Sequence, residues 1–386
     1  MERELRKIIF WIHLPVGILA GLIVLIMSVT GVILTYEKQT VAWTDRGYQS
    51  AAKPGATPSL EAILNAAQAR GGAAPTAVTV KADPAAPALL AMGRESVYVD
   101  AYTGELLGKP SPEGRAFFRA VTDWHRWLAT AGDNRATGKA ITGAANLGFL
   151  FLVVSGAYLW LPRVFGAKQF RAISWFRGGL SGKARDFNWH NVIGIWCVVP
   201  LFLIVISGAV MSYPWANALV YQLAGTPLPA PAPARAPEKQ PEPVVFAGAD
   251  AAWQKASGQV ADWTTITFRV PTSNGAPWSF TIDAGTAGQP QKRGTLTVNR
   301  ETGTPVKWET FADLEAGRQW RSWVRFVHTG EYYGVAGQTV AGLASLGGAF
   351  LVWTGIALSL RRFTAWRERR SKPALVQQMA ARQPVV

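Results

Sequence analysis

The sequence predicts a mainly α-helical membrane protein, with four transmembrane helices in two repeated halves and two α+β modules outside the membrane. Three observations carry this prediction: four long apolar stretches, few charged residues and an internal repeat. Of the 386 residues, 49% are hydrophobic and 16% are charged, whereas about a quarter is charged in ordinary soluble domains. The single cysteine excludes a disulfide framework, a cysteine-ligated zinc or iron–sulfur site, and haem attachment through CxxCH.

Four apolar stretches are each long enough to cross a bilayer, which takes roughly 20 helical residues. They cover residues 8–36, 137–161, 187–215 and 334–360. We expect the first stretch to be retained as a helix, because its apolar run is longer than that of a signal peptide and no A-x-A cleavage motif follows closely.

The net charge of +15 is distributed unevenly between the segments that flank these stretches. Residues 162–186 and 361–386 together carry 13 Lys/Arg and 2 Asp/Glu, whereas residues 37–136 and 216–333 each carry 11 against 10. Basic segments stay in the cytoplasm, so both termini are predicted to be cytoplasmic and the two long segments to be outside. Because the basic residues are explained as topology determinants, we expect no nucleic-acid binding.

Each long outer segment has the pattern of a small α+β module. In residues 37–136, Leu60, Ile63 and Leu64 share one face of a predicted helix over 59–70. Strand patterns follow at 77–81 and 97–100. Residues 216–333 begin with a proline-rich, extended stretch, followed by a predicted helix at 249–255 and strands at 264–270, 278–282 and 295–299.

The chain also repeats itself, which indicates two halves of helix, outer module and helix. When His13 is aligned with His190, the pairs Gly17/Gly194 and Gly31/Gly208 fall at the same offset. The stretch "VYVDAYTGELLG" matches "LTVNRETGTPVK", and "FLVVSGAYLWLPR" matches "AFLVWTGIALSLRR".

The four histidines of the chain are divided evenly between the two halves. His13 and His190 lie just inside the cytoplasmic ends of the first and third stretches, and His125 and His328 shortly precede the second and fourth. A single histidine at a membrane edge is usually an interfacial anchor, but ionisable residues within spans tend to be functional. We therefore predict one histidine pair at each membrane face.

Each apolar stretch contains a serine or threonine followed by glycine. The glycines are Gly31, Gly156, Gly208 and Gly355. Helix length places two of these glycines at the level of each histidine pair, where missing side chains would make room for the edges of a flat cofactor. The alternative is that small residues only let the helices pack closely.

Two histidines per site are too few for structural zinc, and the spans hold no acidic residue to complete a carboxylate metal site. Two imidazoles suit the axial positions of haem iron, and the lack of CxxCH predicts non-covalent haem b, two per chain. With both axial positions filled, electron transfer is expected rather than oxygen binding. Arg126, Arg321 and Arg325 are candidates to pair with haem propionates, with interfacial anchoring as the alternative. No side chain is assigned as catalytic.

The stretches "IHLPVGILAGLIVLIMSVTGVIL", "WHRWLATAGDNRATGKAI", "NWHNVIGIWCVVPLFLIVISGAVMSY" and "VRFVHTGEYYG" resemble the PepSY-associated transmembrane proteins of the bacterial inner membrane. The resemblance covers roughly residues 5–365, and it implies that the outer segments are periplasmic PepSY-like modules. Members with this layout are di-haem siderophore reductases. The resemblance thus implies electron transfer from the cytoplasm to a ferric siderophore in the periplasm.

On this interpretation His13 and His190 match the inner haem ligands, and His125 and His328 match the outer ligands. The chain has no flavin-binding domain, GxGxxG motif or P-loop, so a partner protein or a quinol must donate the electrons. Two alternatives stay open. One is a non-redox membrane protein that regulates a protease or assists a transporter; the other is an electron relay to a different periplasmic acceptor.

Overall fold

The computed structural model describes residues 2–52, 55–93, 95–162, 166–230 and 244–380. Most of the predicted proline-rich stretch, and the end of the predicted tail beyond residue 380, lie outside these ranges. The helices of the described residues are α1 (Glu2–Leu34), α2 (Glu37–Thr44), α3 (Leu60–Arg70), α4 (Pro112–Trp127), α5 (Arg135–Trp160), α6 (Ala167–Ser174), α7 (Gly182–Ser212), α8 (Pro214–Leu223), α9 (Ala249–Ser257), α10 (Ala316–His328) and α11 (Gly334–Ala380).

The chain divides into two compact units. The first contains the described parts of residues 1–35, 120–213 and 339–386, and the second contains residues 36–119 and 214–338. Four helices, α1, α5, α7 and α11, are long and apolar enough to cross a membrane. This confirms the four predicted apolar helices, whereas their orientation and the duplication of the chain stay predictions.

Helix boundaries differ from the predicted spans at the polar ends. α1 begins at Glu2 rather than residue 8, and α11 continues to Ala380 rather than ending near residue 360. Apolar stretches identify the part of a helix that fits in a bilayer, but backbone hydrogen bonding continues through adjacent charged residues that are good helix formers. The segment predicted as a tail is therefore helical as far as Ala380.

In the first unit, α5 packs against both α1 and α7. Small residues allow α11 to approach α7: a Cβ added to Gly347 would lie 2.5 Å from Cys197 Sγ. Many large apolar side chains face outward, with Leu19 82% and Val199 66% exposed. Such an outer surface is unfavourable in water and suits contact with lipid.

The second unit contains one antiparallel sheet of eight strands. The strands are β1 (Pro75–Lys81), β2 (Ala88–Met92), β3 (Glu95–Val99), β4 (Leu106–Gly108), β5 (Thr265–Arg269), β6 (Trp278–Asp283), β7 (Arg293–Val298) and β8 (Pro305–Thr310). Their order is β4-β3-β2-β1-β5-β6-β7-β8. Two four-strand meanders therefore meet at the β1–β5 pair, where Val78 lies opposite Phe268.

A single hydrophobic core underlies this sheet. The face of α3 formed by Leu60, Ile63 and Leu64 is fully buried, as its spacing predicts, and shares a cluster with Trp253 of α9 and Phe280 of β6. The two outer segments were predicted as separate modules, and each does contribute one helix to this core and four strands to the sheet. Their sheets are continuous because alternate β1 and β5 residues are apolar on the same face.

Candidate functional site

Two of the four histidines have matching surroundings in the first unit, although they are far apart in the chain. His13 lies on α1 and His190 on α7, and both helices pack against α5. His13 Nδ1 is 2.7 Å from Ser155 Oγ of α5. His190 Nδ1 is 2.9 Å from Thr354 Oγ1 of α11. A hydroxyl on the neighbouring helix thus holds each ring by the same nitrogen.

The hydrogen bonds of these hydroxyls determine which ring nitrogen carries the proton. Ser155 Oγ is 2.6 Å from Phe151 O, and Thr354 Oγ1 is 2.8 Å from Phe350 O, one turn earlier in each helix. A carbonyl oxygen only accepts, so each hydroxyl proton points to it, and each hydroxyl oxygen accepts from imidazole Nδ1–H. In the neutral ring the lone pair is then on Nε2, the nitrogen available to a metal.

His125 repeats this arrangement at the other end of α1. It was predicted to lie outside the membrane spans, and it lies near the end of the amphipathic helix α4. His125 Nδ1 is 2.9 Å from Thr30 Oγ1, which donates to Ile26 O at 2.6 Å. By the same argument Nε2 of His125 holds the lone pair. Along α1, Thr30 is about 25 Å from His13, at 1.5 Å per residue.

Three of the four predicted glycines lie directly beside these rings. A Cβ added to Gly156, Gly355 or Gly31 would be 3.5, 3.6 and 3.5 Å, respectively, from Cε1 of the nearest histidine. These are ordinary contact distances, so a methyl group at each glycine would just touch the imidazole, and the glycine keeps that edge of the ring uncovered.

Gly208 differs from the other three glycines. A Cβ there would lie 2.9 Å from Oδ1 of Asn146 on α5. The buried Asn146 amide in turn donates to Val205 O at 2.9 Å. Gly208 therefore has a packing role between α7 and α5, which supports the close-packing alternative at this position.

His328 is the last residue of α10, in the second unit, and it is half-buried. Arg321 and Arg325 precede it at helical spacing, so the three side chains lie on one face. Arg321 Nε donates to Asn217 Oδ1 at 2.6 Å. Burial, followed by the charge of Arg325, lowers the pKa of the Arg321 guanidinium.

The third candidate arginine, Arg126, lies beside His125 on α4 and stacks on the Trp127 ring, with Cζ 4.5 Å from its centroid. Within the described part of the chain, Arg126, Arg321 and Arg325 make no ion pair with an aspartate or glutamate.

The donor set fits a haem better than a bare metal ion. Among the described residues, no three His, Cys, Asp or Glu side chains converge on a common point, as a structural zinc site requires. His13 and His190 instead supply two neutral imidazoles, which suits iron whose other four positions are filled by a porphyrin.

The serine and threonine hydroxyls are the residues whose role the sequence did not reveal. They were noted only as neighbours of glycine, whereas the structure shows that Thr30, Ser155 and Thr354 orient histidines. The signal was present: a hydroxyl precedes the glycine in all four spans. Close helix packing explains the glycines but does not require a hydroxyl beside them. The repeated Ser/Thr therefore indicated a second role for these positions.

A family model described as the PepSY-associated TM region matches residues 10–362, from α1 into α11. The predicted resemblance to the PepSY-associated transmembrane family is thereby confirmed, and the resemblance to di-haem siderophore reductases stays a prediction. No curated protein matches the chain.

Proposed function

Because this chain belongs to the PepSY-associated transmembrane family, we propose that it is a di-haem b-type cytochrome of the bacterial inner membrane. It carries electrons from the cytoplasmic side to the periplasm and reduces a ferric siderophore. The observation that carries the proposal is the matched arrangement of His13 and His190, each with its Nδ1 hydrogen-bonded to a hydroxyl on another helix of the bundle.

When bound, each haem would supply one-electron iron chemistry. The residues of the chain hold and orient the ligands. The hydroxyls of Ser155 and Thr354 keep the proton on Nδ1, so His13 and His190 would hold the iron through Nε2. Hydrogen-bonded partners of this kind raise the basicity of a ligand and fix its ring orientation.

The outer haem of the proposal is held by His125 and His328. The assignment of His125 rests on its contact with Thr30, and that of His328 on the internal repeat of the sequence. Arg126, Arg321 and Arg325 supply cations for the propionates, since a guanidinium pairs with a carboxylate through two parallel hydrogen bonds.

The charge distribution supports the membrane orientation on which the proposed direction of electron flow depends. With the basic segments in the cytoplasm, electrons enter the protein at His13 and His190, and the second unit, which contains the sheet, faces the periplasm. One electron from a partner protein or a quinol reduces ferric iron to ferrous iron at the outer side. Ferrous iron binds hard oxygen donors less tightly, so reduction favours its release from the siderophore.

A pyridine-haemochrome spectrum of the purified, full-length protein tests the cofactor, and we expect two b haems per chain. Oriented vesicles with a ferric chelate outside and a ferrous-iron indicator test the reaction. A colourless protein made with adequate haem supply would refute the redox function and leave the regulatory alternative. Full haem content without reduction of the ferric chelate would refute siderophore reduction and favour electron transfer to another periplasmic acceptor.

A further inference from the structure

The short helix α6 is held against two membrane helices by their tryptophans. Trp196 Nε1 of α7 donates to Ser174 O at 2.9 Å, and Trp160 Nε1 of α5 is 3.4 Å from Ile173 O. Tryptophan is enriched where a membrane helix meets the headgroup layer. Trp160 is the last residue of α5, so its bond holds the C-terminal end of α6 near that level.

A hollow beside α6 is lined by cations and aromatic rings. Its charged side chains are Lys168, Arg171 and Arg177, and no acidic residue lines it. All three cations are exposed, and none pairs with a carboxylate within the described residues. Topology alone requires basic residues on this side of the membrane, but it does not require them to surround a hollow.

The loop that follows α6 is positioned by a buried amide. Asn188 of α7 accepts a hydrogen bond from the Arg177 backbone N–H at 3.1 Å and donates one to Trp175 O at 3.2 Å. The cation of Arg177 and the ring of Trp175 are therefore held on a defined backbone rather than on a loose loop.

Aromatic side chains next to the cations are exposed. Phe170, Trp175 and Phe176 are 54%, 59% and 60% exposed, and Trp175 contacts Trp196 with ring centroids 6.2 Å apart. Exposed rings beside exposed cations are typical of a surface that lies in the membrane interface, with its apolar groups among the acyl chains and its charges at the headgroups.

We propose that this hollow binds an anionic phospholipid, with its phosphate between Lys168, Arg171 and Arg177 and its acyl chains along Trp175 and Trp196. The arginine forks match phosphate oxygens, and the rings match the apolar part of the same molecule. An acidic soluble protein would satisfy the cations but would leave the aromatic rings without an apolar partner. The proposal is independent of any haem.

The test counts phospholipids that stay bound to the full-length protein, using native mass spectrometry after release from nanodiscs of phosphatidylglycerol mixed with phosphatidylcholine. We expect the wild-type chain to retain phosphatidylglycerol selectively. In the variant Lys168→Gln/Arg171→Gln/Arg177→Gln, affinity should fall by about fivefold per removed cation, since each contributes on the order of 1 kcal/mol near an anionic surface. The selectivity should then disappear.

The matched control is Lys183→Gln/Arg369→Gln/Arg370→Gln, which removes the same charge from exposed positions of α7 and α11 and should retain the lipid. Size-exclusion profiles check that all variants are folded. Equal retention by the two triple variants would overturn the proposal and leave the surface to an acidic protein partner. Displacement of the bound lipid by millimolar inorganic phosphate would also overturn it, because the site would then recognise free phosphate rather than the lipid.

Discussion

Replacing Ser155 by alanine should weaken the proposed inner haem site without disturbing the helices. The substitution removes the acceptor that holds Nδ1 of His13 at 2.7 Å. Ser155 is only 5% exposed, so water has little access to replace the lost hydroxyl. The imidazole is then free to rotate or to take the other tautomer, in which Nε2 carries the proton and cannot bind iron.

The expected effect follows from similar partners in metalloproteins. Loss of a hydrogen-bonded partner of a ligating histidine lowers metal affinity by about 10- to 100-fold, or roughly 1.4–2.7 kcal/mol. Because the partner makes the ring more electron-donating, its loss should also raise the reduction potential of that haem. The outer haem should keep its potential, since Ser155 and Thr30 belong to different histidines.

The assay is haem titration and redox titration of purified variants, followed by visible absorption. Ser155→Thr keeps the hydroxyl and should behave as the wild type. Ser359→Ala removes a hydroxyl that bonds only to the helix backbone, with Oγ 2.7 Å from Gly355 O, and serves as the matched control. If Ser155→Ala and Ser359→Ala retained haem equally well and with equal potentials, the proposed role of the hydroxyl would be wrong.

Three further predictions concern the two histidine pairs, the membrane topology and the second unit, which contains the sheet. His13→Ala should remove the inner haem and His125→Ala the outer haem; loss of both haems from either folded variant, measured by haem content, would contradict two separate sites. Reporter fusions after residue 386 and near residue 230 should lie in opposite compartments, and the same compartment for both would refute the four-span topology. Burial raises the pKa of Asp45, but hydrogen bonds from Ser111, Arg115 and Tyr98 outweigh it and lower the pKa overall. The Asp45 carboxylate therefore stabilises the fold above about pH 4, the pKa of aspartate in the unfolded chain. The stability difference between wild type and Asp45→Asn, measured by denaturant unfolding, should therefore shrink as the pH falls below about 4; a difference that did not change with pH would show that Asp45 is not a titrating stabiliser.

The sequence alone determined the elements that depend on local pattern. Apolar runs of bilayer length identified α1, α5, α7 and α11, and period-two alternation identified several strands. The turn after β3 was also predictable: Asp100 accepts from the Tyr102 and Thr103 backbone N–H groups. Gly104, which follows, has φ +74° and lies so close to α3 that a Cβ would be 2.7 Å from Ala62 O.

The tertiary structure decided how distant residues meet. Ser155 orients a histidine 142 positions away, and Thr354 orients one 164 positions away. The same holds for the β1–β5 pair, which joins two segments predicted as separate modules, and for Asn146, which fills the space beside Gly208. Periodicity reports only which face of an element is apolar. The partner of that face, and the atom that a buried hydroxyl accepts from, depend on how the helices and strands pack together.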